Sequence, residues 1–221
     1  MNYLTHQLLN PEDLKLLNKT LGKEDLNWED GKKTAGNHAA KVKYNLQLNR
    51  DSDTSKQCSR LISKKILSNN LIKSFALPKR IHGTMFTKSA KGMQYGRHID
   101  NPYMSSGRAD LSFTIFLNCK DNYEGGELSI ECLNSEKRFK LNPGEIIIYP
   151  STYLHSVQKV TKGTRLVCVG WIESYVRKIE DREYLFDLDA AARSLLAKYG
   201  RSDEVDLIFK SYSNLLRRLG N

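Results

Sequence analysis

The sequence predicts a mainly β protein with flanking helices, built around a jelly-roll barrel, and three observations carry that expectation. Between about Ile81 and Ile172, short β-rich runs recur with strong turn signals between them. On either side of this stretch, apolar residues fall at helical spacing instead. The composition, 39% hydrophobic and 27% charged over 221 residues, suits one domain with a substantial core and excludes a disordered chain.

The expected organisation is an N-terminal helical and mixed segment over 1–80 packing on the core, a barrel over 81–177 and a helical hairpin over 178–221. Asn10-Pro11-Glu12-Asp13 reads as an N-cap, a proline at the first helical position and an acidic first turn. Leu14, Leu17 and Leu21 then share a face. A second helix is expected from Ser55 to Phe75, with Leu61, Ile62, Leu67, Leu71 and Ile72 as its stripe, and the stretch before it, with Trp28 and Gly31, is expected to be partly irregular. The barrel runs are Asp110–Leu117, Gly126–Ile130, Arg138–Leu141, Glu145–Tyr149 and Thr164–Ile172. Turns are marked by Tyr123-Glu124-Gly125-Gly126, Asn142-Pro143-Gly144 and Thr161-Lys162-Gly163. After Tyr175 two stripes follow, Leu185 to Tyr199 closed by Gly200 and Val205 to Leu219 closed by Gly220.

Several classes of function are set aside early. No apolar run approaches ~18 residues, so no membrane span is expected. The start, Met1-Asn2-Tyr3-Leu4-Thr5-His6, lacks the features of a secretory signal. Four scattered cysteines without a CxxC pair fit thiols in a reducing, cytoplasmic location. The net charge of +10 raises the question of nucleic acid, but the basic residues are spread along the chain, as on a solvated basic surface.

The chemistry gathers on a few residues. In His98-Ile99-Asp100, residues two apart in an extended segment face the same side, while Ile99 is expected to turn into the protein. His155 follows the strand ending at Tyr149, and a barrel can bring such distant strand ends together. Two imidazoles and one carboxylate leave coordination positions open, the pattern of non-haem Fe(II) oxygenases. HxD alone is a weak signal; Arg165, on the next strand, strengthens it. A cation close to a metal is unfavourable unless a dianion bridges the two. 2-Oxoglutarate would do so, chelating metal at one end and meeting the planar guanidinium at the other.

At this point the residues resemble the PKHD-type hydroxylases, bacterial relatives of prolyl 4-hydroxylases. The resemblance is carried by Tyr95-Gly96-Arg97-His98-Ile99-Asp100, Arg108-Ala109-Asp110-Leu111-Ser112 and Asp121-Asn122-Tyr123-Glu124-Gly125-Gly126-Glu127-Leu128. It continues through Tyr149-Pro150-Ser151-Thr152-Tyr153-Leu154-His155, Gly163-Thr164-Arg165 and Trp171-Ile172-Glu173-Ser174, with Trp28-Glu29-Asp30-Gly31 and Tyr212-Ser213-Asn214-Leu215-Leu216-Arg217 near the ends. It implies a double-stranded β-helix (jelly-roll, cupin-like) core and an Fe(II)- and 2-oxoglutarate-dependent dioxygenase. It further implies His98, Asp100 and His155 as iron ligands, Arg165 on 2-oxoglutarate, O2 as the oxidant, and L-ascorbate to restore oxidised iron. Related enzymes often carry a tyrosine where Phe116 stands; Tyr95, Ser112 and Thr114 are the candidates for the missing hydroxyl, Thr114 because it shares parity with Phe116.

The prime substrate stays open between a peptidyl residue, an amino acid and a small metabolite. A nucleic-acid oxidative demethylase is the rival by substrate, but such enzymes typically carry a second arginine where Trp171 stands. A non-catalytic metal-binding jelly roll is the other rival, and it leaves Arg165 unexplained. The C-terminal hairpin is expected to pack on the barrel and support a homodimer; the alternative, that one barrel flank covers its apolar face, stays open. Trp171 is expected in the core.

Overall fold

A strand buried at every position, as Leu111–Phe116 is, must be covered on both faces, and that requirement organises this chain. The computed structural model describes residues 3–132 and 134–221. Along the first third run β1 (Leu4–Gln7), α1 (Pro11–Leu21), β2 (Trp28–Asp30), α2 (Asn37–Ala40), β3 (Lys43–Tyr44), β4 (Leu46–Leu48), α3 (Asp53–Ser68) and α4 (Asn70–Ala76). The β region contains β5 (Pro78–Ala90), β6 (Gln94–His98), β7 (Tyr103–Met104), β8 (Gly107–Arg108), β9 (Leu111–Phe116), β10 (Tyr123–Gly125), β11 (Leu128–Cys132) and β12 (Ser135–Phe139). It ends with β13 (Glu145–Pro150), β14 (His155–Val157) and β15 (Val160–Ser174), and helices α5 (Ile179–Tyr199) and α6 (Asp203–Leu219) close the chain.

Two antiparallel sheets result. The major sheet has the order β1-β13-β9-β15-β5-β4-β2, with β10 paired to β15, and the minor sheet has the order β12-β11-β14-β6-β3. Alternation sorts the side chains of the major sheet. Leu111, Phe113, Ile115, Ile146, Ile148, Cys168 and Ile172 pack with Leu17, Leu21, Ile62, Ile66 and Ile72 of the helices. The intervening Phe116, Ile147, Tyr149 and Val167 pack with Leu128 and Ile130 of the minor sheet. Each face therefore has its own apolar layer, and the second layer encloses the cavity described below.

The N-terminal segment does more than lie against the core. β1 extends the major sheet at one edge and β4 with β2 at the other, while β3 is the edge strand of the minor sheet. β5 begins at Pro78, ahead of the expected start at Ile81. α1 begins with Asn10 accepting from the Asp13 amide while the Asp13 carboxylate accepts from the Asn10 amide, a reciprocal cap. The expected continuous helix from Ser55 to Phe75 is two helices, because Asn69 leaves helical geometry (ψ 118°) and caps α4 by accepting from the Ile72 amide. That break rotates the stripe: Cys58, Ile62, Ile66 and Ile72 are buried, whereas Leu67 and Leu71 are exposed. At the C-terminus, Tyr212, Leu216 and Leu219 of α6 pack on Leu77, Val176 and Leu185. Among the described residues no helix is long and apolar enough to cross a membrane.

Candidate active site

His98 ends β6 and His155 begins β14, and the two are register partners across the minor sheet. This cross-strand pairing is why two residues so distant in sequence meet: their ring centroids lie 4.2 Å apart. Asp100 follows just beyond β6 and completes a cluster whose ligand-capable atoms all lie within 4.8 Å of one another. The Nε2 atoms of His98 and His155 are 4.0 Å and 3.8 Å from the Asp100 carboxylate oxygens.

The surroundings fix the orientation of each group. His98 Nδ1 donates to the Gly96 carbonyl at 2.8 Å and His155 Nδ1 to the Tyr153 carbonyl at 3.0 Å. A carbonyl only accepts, so the proton is held at Nδ1 and each Nε2 keeps a lone pair for the common centre. Burial, then the adjacent His155, pushes His98 down to about 4, so it is neutral near pH 7. Tyr95 stacks on the His98 ring with centroids 3.6 Å apart. One oxygen of Asp100, Oδ2, accepts from Ser112 Oγ at 2.6 Å and from the Trp171 indole N–H at 2.9 Å, and Ser151 Oγ lies 2.7 Å from Ser112 Oγ. Trp171 is therefore part of the site and not merely core, as the sequence suggested: it stands at an inward position of β15 and its one polar atom is used.

Arg165 also faces inward from β15. It is buried, its guanidinium carbon lies 5.5 Å from the centre of the Phe116 ring, and its Nε has no hydrogen-bond partner. The Tyr123 hydroxyl is buried next to the guanidinium and favours its charge against the opposing effect of burial. Gly126 (φ 70°) makes room for this side chain, since a Cβ there would stand 3.0 Å from Arg165 Cδ. A buried guanidinium whose Nε finds no acceptor among the described residues can still take a carboxylate. Two Nε2 lone pairs and a carboxylate beside it supply a donor set for iron(II). The residues present thus fit both iron and 2-oxoglutarate.

His98, Asp100, His155, Ser112, Trp171 and Arg165 border one cavity of about 310 Å³ between the sheets. Tyr95 and Thr114 line it, as do Tyr149 and, from the N-terminal segment, Lys43, Asn45 and Gln47. Ser112, a candidate hydroxyl for the co-substrate, is committed to Asp100. Ile99, expected to turn inward, is 53% exposed at the rim. The reason is local: β6 ends at His98, and beyond it the alternation of a paired strand no longer applies. Tyr123, Tyr149 and Lys43 were not singled out from the sequence. Parity within β13 would have pointed to Tyr149, but nothing in the sequence shows that the short β3 exists.

The chain is similar to known proteins along its whole length. Residues 84–173 match the family described as the 2OG-Fe(II) oxygenase superfamily, and residues 180–220 match the PKHD-type hydroxylase C-terminal domain. A PKHD-type hydroxylase of Prochlorococcus marinus strain MIT 9215 is 77% identical, and one of strain MIT 9312 is 74% identical, each alignment covering 100% of both chains. Among solved structures, a Pseudomonas putida prolyl-4-hydroxylase superposes with a TM-score of 0.55 at 17% identity, covering 78% of this chain and 92% of that one. A Trichoplax adhaerens prolyl hydroxylase in complex with a hypoxia inducible factor peptide superposes with a TM-score of 0.59 at 15% identity, covering 83% and 86%. At these identities the structures share the fold.

Proposed function

This chain belongs to the PKHD-type hydroxylases of the 2OG-Fe(II) oxygenase superfamily, and we propose that within it His98, Asp100 and His155 hold the iron while Arg165 anchors 2-oxoglutarate. As a member it is an iron- and 2-oxoglutarate-dependent hydroxylase, which removes the non-catalytic alternative. The observation that carries the residue assignment is the triad itself: two imidazoles with their protons tied back to Gly96 and Tyr153, converging with Asp100 on one point.

Bound iron and 2-oxoglutarate supply the oxidation, in which the co-substrate becomes succinate and CO2 and one oxygen atom of O2 reaches a substrate carbon. The chain positions and encloses. The Gly96 and Tyr153 carbonyls keep both histidines in the tautomer that offers Nε2. Ser112 and Trp171 hold the Asp100 carboxylate against rotation. Arg165 receives the far carboxylate of 2-oxoglutarate, with Phe116 beneath it and the buried Tyr123 hydroxyl beside it, so we assign Tyr123 the helper role first sought at Tyr95, Ser112 and Thr114. Tyr95 and Thr114 wall the co-substrate. Leu128, Val157 and Val169 line the cavity with apolar surface.

Ascorbate as the reductant that restores oxidised iron, and a cytoplasmic location, belong to the same proposal. Nucleic acid is not the substrate we assign, because Trp171 is occupied with Asp100. Leu196, Tyr199, Leu207 and Leu215 of the hairpin are exposed, and we assign the hairpin to a homodimer, which light scattering on the full chain checks.

The test of the site is anaerobic titration with iron(II). The wild type is expected to bind one equivalent and to release succinate from 2-oxoglutarate in air, whereas His155→Ala and Asp100→Ala lose iron binding by at least about a hundredfold. Undiminished iron binding in His155→Ala would remove the assignment.

A further inference from the structure

β3 and β4 carry the chain from the edge of the minor sheet to the major sheet, one strand in from its edge, and Lys43, Asn45 and Gln47 alternate inward along it. Inward positions next to a core are ordinarily apolar. Here all three are polar, with exposures of 4%, 7% and 3%, and all three line the cavity that holds the triad.

Their needs are incompletely met inside the protein. Lys43 Nζ donates to Thr34 Oγ1 at 3.2 Å and stands 5.0 Å over the Tyr95 ring. No carboxylate among the described residues lies within ion-pair distance of it; Asp100 and Asp30 act on its charge only from farther away. Thr34 in turn donates to Gln47 Oε1 at 2.5 Å. Asn45 Oδ1 is buried without a hydrogen-bond partner, pressed against Gly31, where an added Cβ would fall 1.9 Å from it. That contact explains why a glycine ends the Trp28-Glu29-Asp30-Gly31 motif.

A buried ammonium without a counter-ion is costly and is retained where something arrives to pair with it. Its desolvation shows in its acidity, which burial lowers to about 8. 2-Oxoglutarate does not meet this need. Arg165 lies in the middle of the major sheet, whereas Lys43 lies on the edge strand of the minor one. The two charges of iron(II) and that of Arg165 are balanced by Asp100 and the two carboxylates of 2-oxoglutarate. Lys43 is then left with no carboxylate at ion-pair distance among the described residues, and the exposed Arg50 adds a second positive charge to the cavity lining.

We propose that Lys43 anchors a carboxylate of the prime substrate, so that the hydroxylated molecule is a carboxylic acid, presented either as a free amino acid or as an acidic side chain. This rests on the iron and 2-oxoglutarate assignment above, which leaves the Lys43 side of the cavity to the substrate. Thr34 holds the ammonium in place, and the Gln47 and Asn45 amides are the polar groups beside it.

The experiment measures succinate release at saturating iron(II) and 2-oxoglutarate with four sets of probes. These are the free L-amino acids, their carboxamides, end-blocked peptides containing Asp or Glu, and the same peptides with Asn or Gln. Acids are expected to accelerate release at least about tenfold while their neutral counterparts do not. Acceleration by free amino acids identifies a free acid as the source of the carboxylate, and acceleration by acidic peptides alone identifies a side chain. Lys43→Met should raise the half-saturating concentration of the accelerating acid by at least about tenfold, and Lys43→Arg, which keeps the charge, by no more than about threefold. Calorimetric affinity of both variants for 2-oxoglutarate in the presence of iron should stay within about twofold of the wild type. Equal acceleration by neutral amides, no acceleration by any acid or acidic peptide, or an equal loss of 2-oxoglutarate affinity in Lys43→Met would each overturn the proposal. If the wild type itself fails to bind 2-oxoglutarate with iron present, the co-substrate assignment falls and this inference falls with it.

Discussion

Arg165 and Lys43 are two buried cations on one cavity, and they are held in opposite ways. Arg165 belongs to the long central strand β15, between β5 and β9, with Phe116 under its guanidinium and Gly126 against its stem. Lys43 belongs to a two-residue edge strand and is tied by one hydrogen bond to Thr34. Burial opposes the charge of both. A guanidinium does not give up its proton in a protein, so Arg165 is a permanent planar fork. An ammonium can be neutralised, so the charge of Lys43 depends on what stands beside it. Under the assignments proposed above, the co-substrate would meet the rigid group and the prime substrate the adaptable one.

The largest expected effect lies at the rigid end. Arg165→Ala should weaken 2-oxoglutarate by several hundredfold or more, about 3–5 kcal/mol, because one partner of a buried charge pair is removed. Iron stoichiometry should be unchanged, and Arg165→Lys should recover only part, since a point charge cannot supply two parallel N–H bonds. Calorimetry with iron present reads both. An alanine variant with wild-type dependence on 2-oxoglutarate would erase the contrast between the two cations.

At the adaptable end the prediction concerns stability without ligand. Burial depresses Lys43 from 10.5 to about 8, with Asp100 and Asp30 opposing the shift from a distance. Its folded pKa is below its unfolded one, so the destabilisation is complete below pH 8 and fades as pH rises toward 10.5. Lys43→Met should therefore make the ligand-free protein more stable at pH 7, by up to about 3 kcal/mol. Near pH 10.5 that advantage should vanish. Urea unfolding at the two pH values reads the difference. A lysine kept only for its stacking on Tyr95 would give the reverse, a variant less stable at both.

The smallest effect lies between the two cations, at Asp100. Trp171→Phe deletes the indole N–H bond and leaves Ser112 in place, so iron affinity should fall by about tenfold in a chelator competition. Unchanged affinity would mean that Ser112 alone orients the carboxylate, and that the inward face of β15 serves only Arg165.

How much of this was legible in the sequence follows the same division. The runs Leu111–Phe116 and Glu145–Pro150 announce themselves as strands, since β-branched and aromatic residues cluster between strong turns, and the strand parity that places Arg165 and Thr114 inward is local. The helical hairpin shows in its periodicity, although the stripe of α5 is interrupted by the buried Arg182 and Asp189. The break at Asn69 was hidden because one capping asparagine is a weak mark inside a continuing apolar pattern. The N-terminal strands were hidden for a different reason: β2, β3 and β4 have two or three residues each, too few for any period to show.

By itself, then, the sequence determined the mainly β architecture, the helical flanks and which donor groups to propose for metal and co-substrate, because turn chemistry, alternation and donor type act over a few neighbouring residues. Only the tertiary structure decided that His155 pairs with His98, that Trp171 and Ser112 share one oxygen of Asp100, and that Lys43 stands over Tyr95 without a counter-ion. Each of those depends on strand register and sheet order, which are set by burial of two apolar layers across the whole chain and leave no mark at any single position.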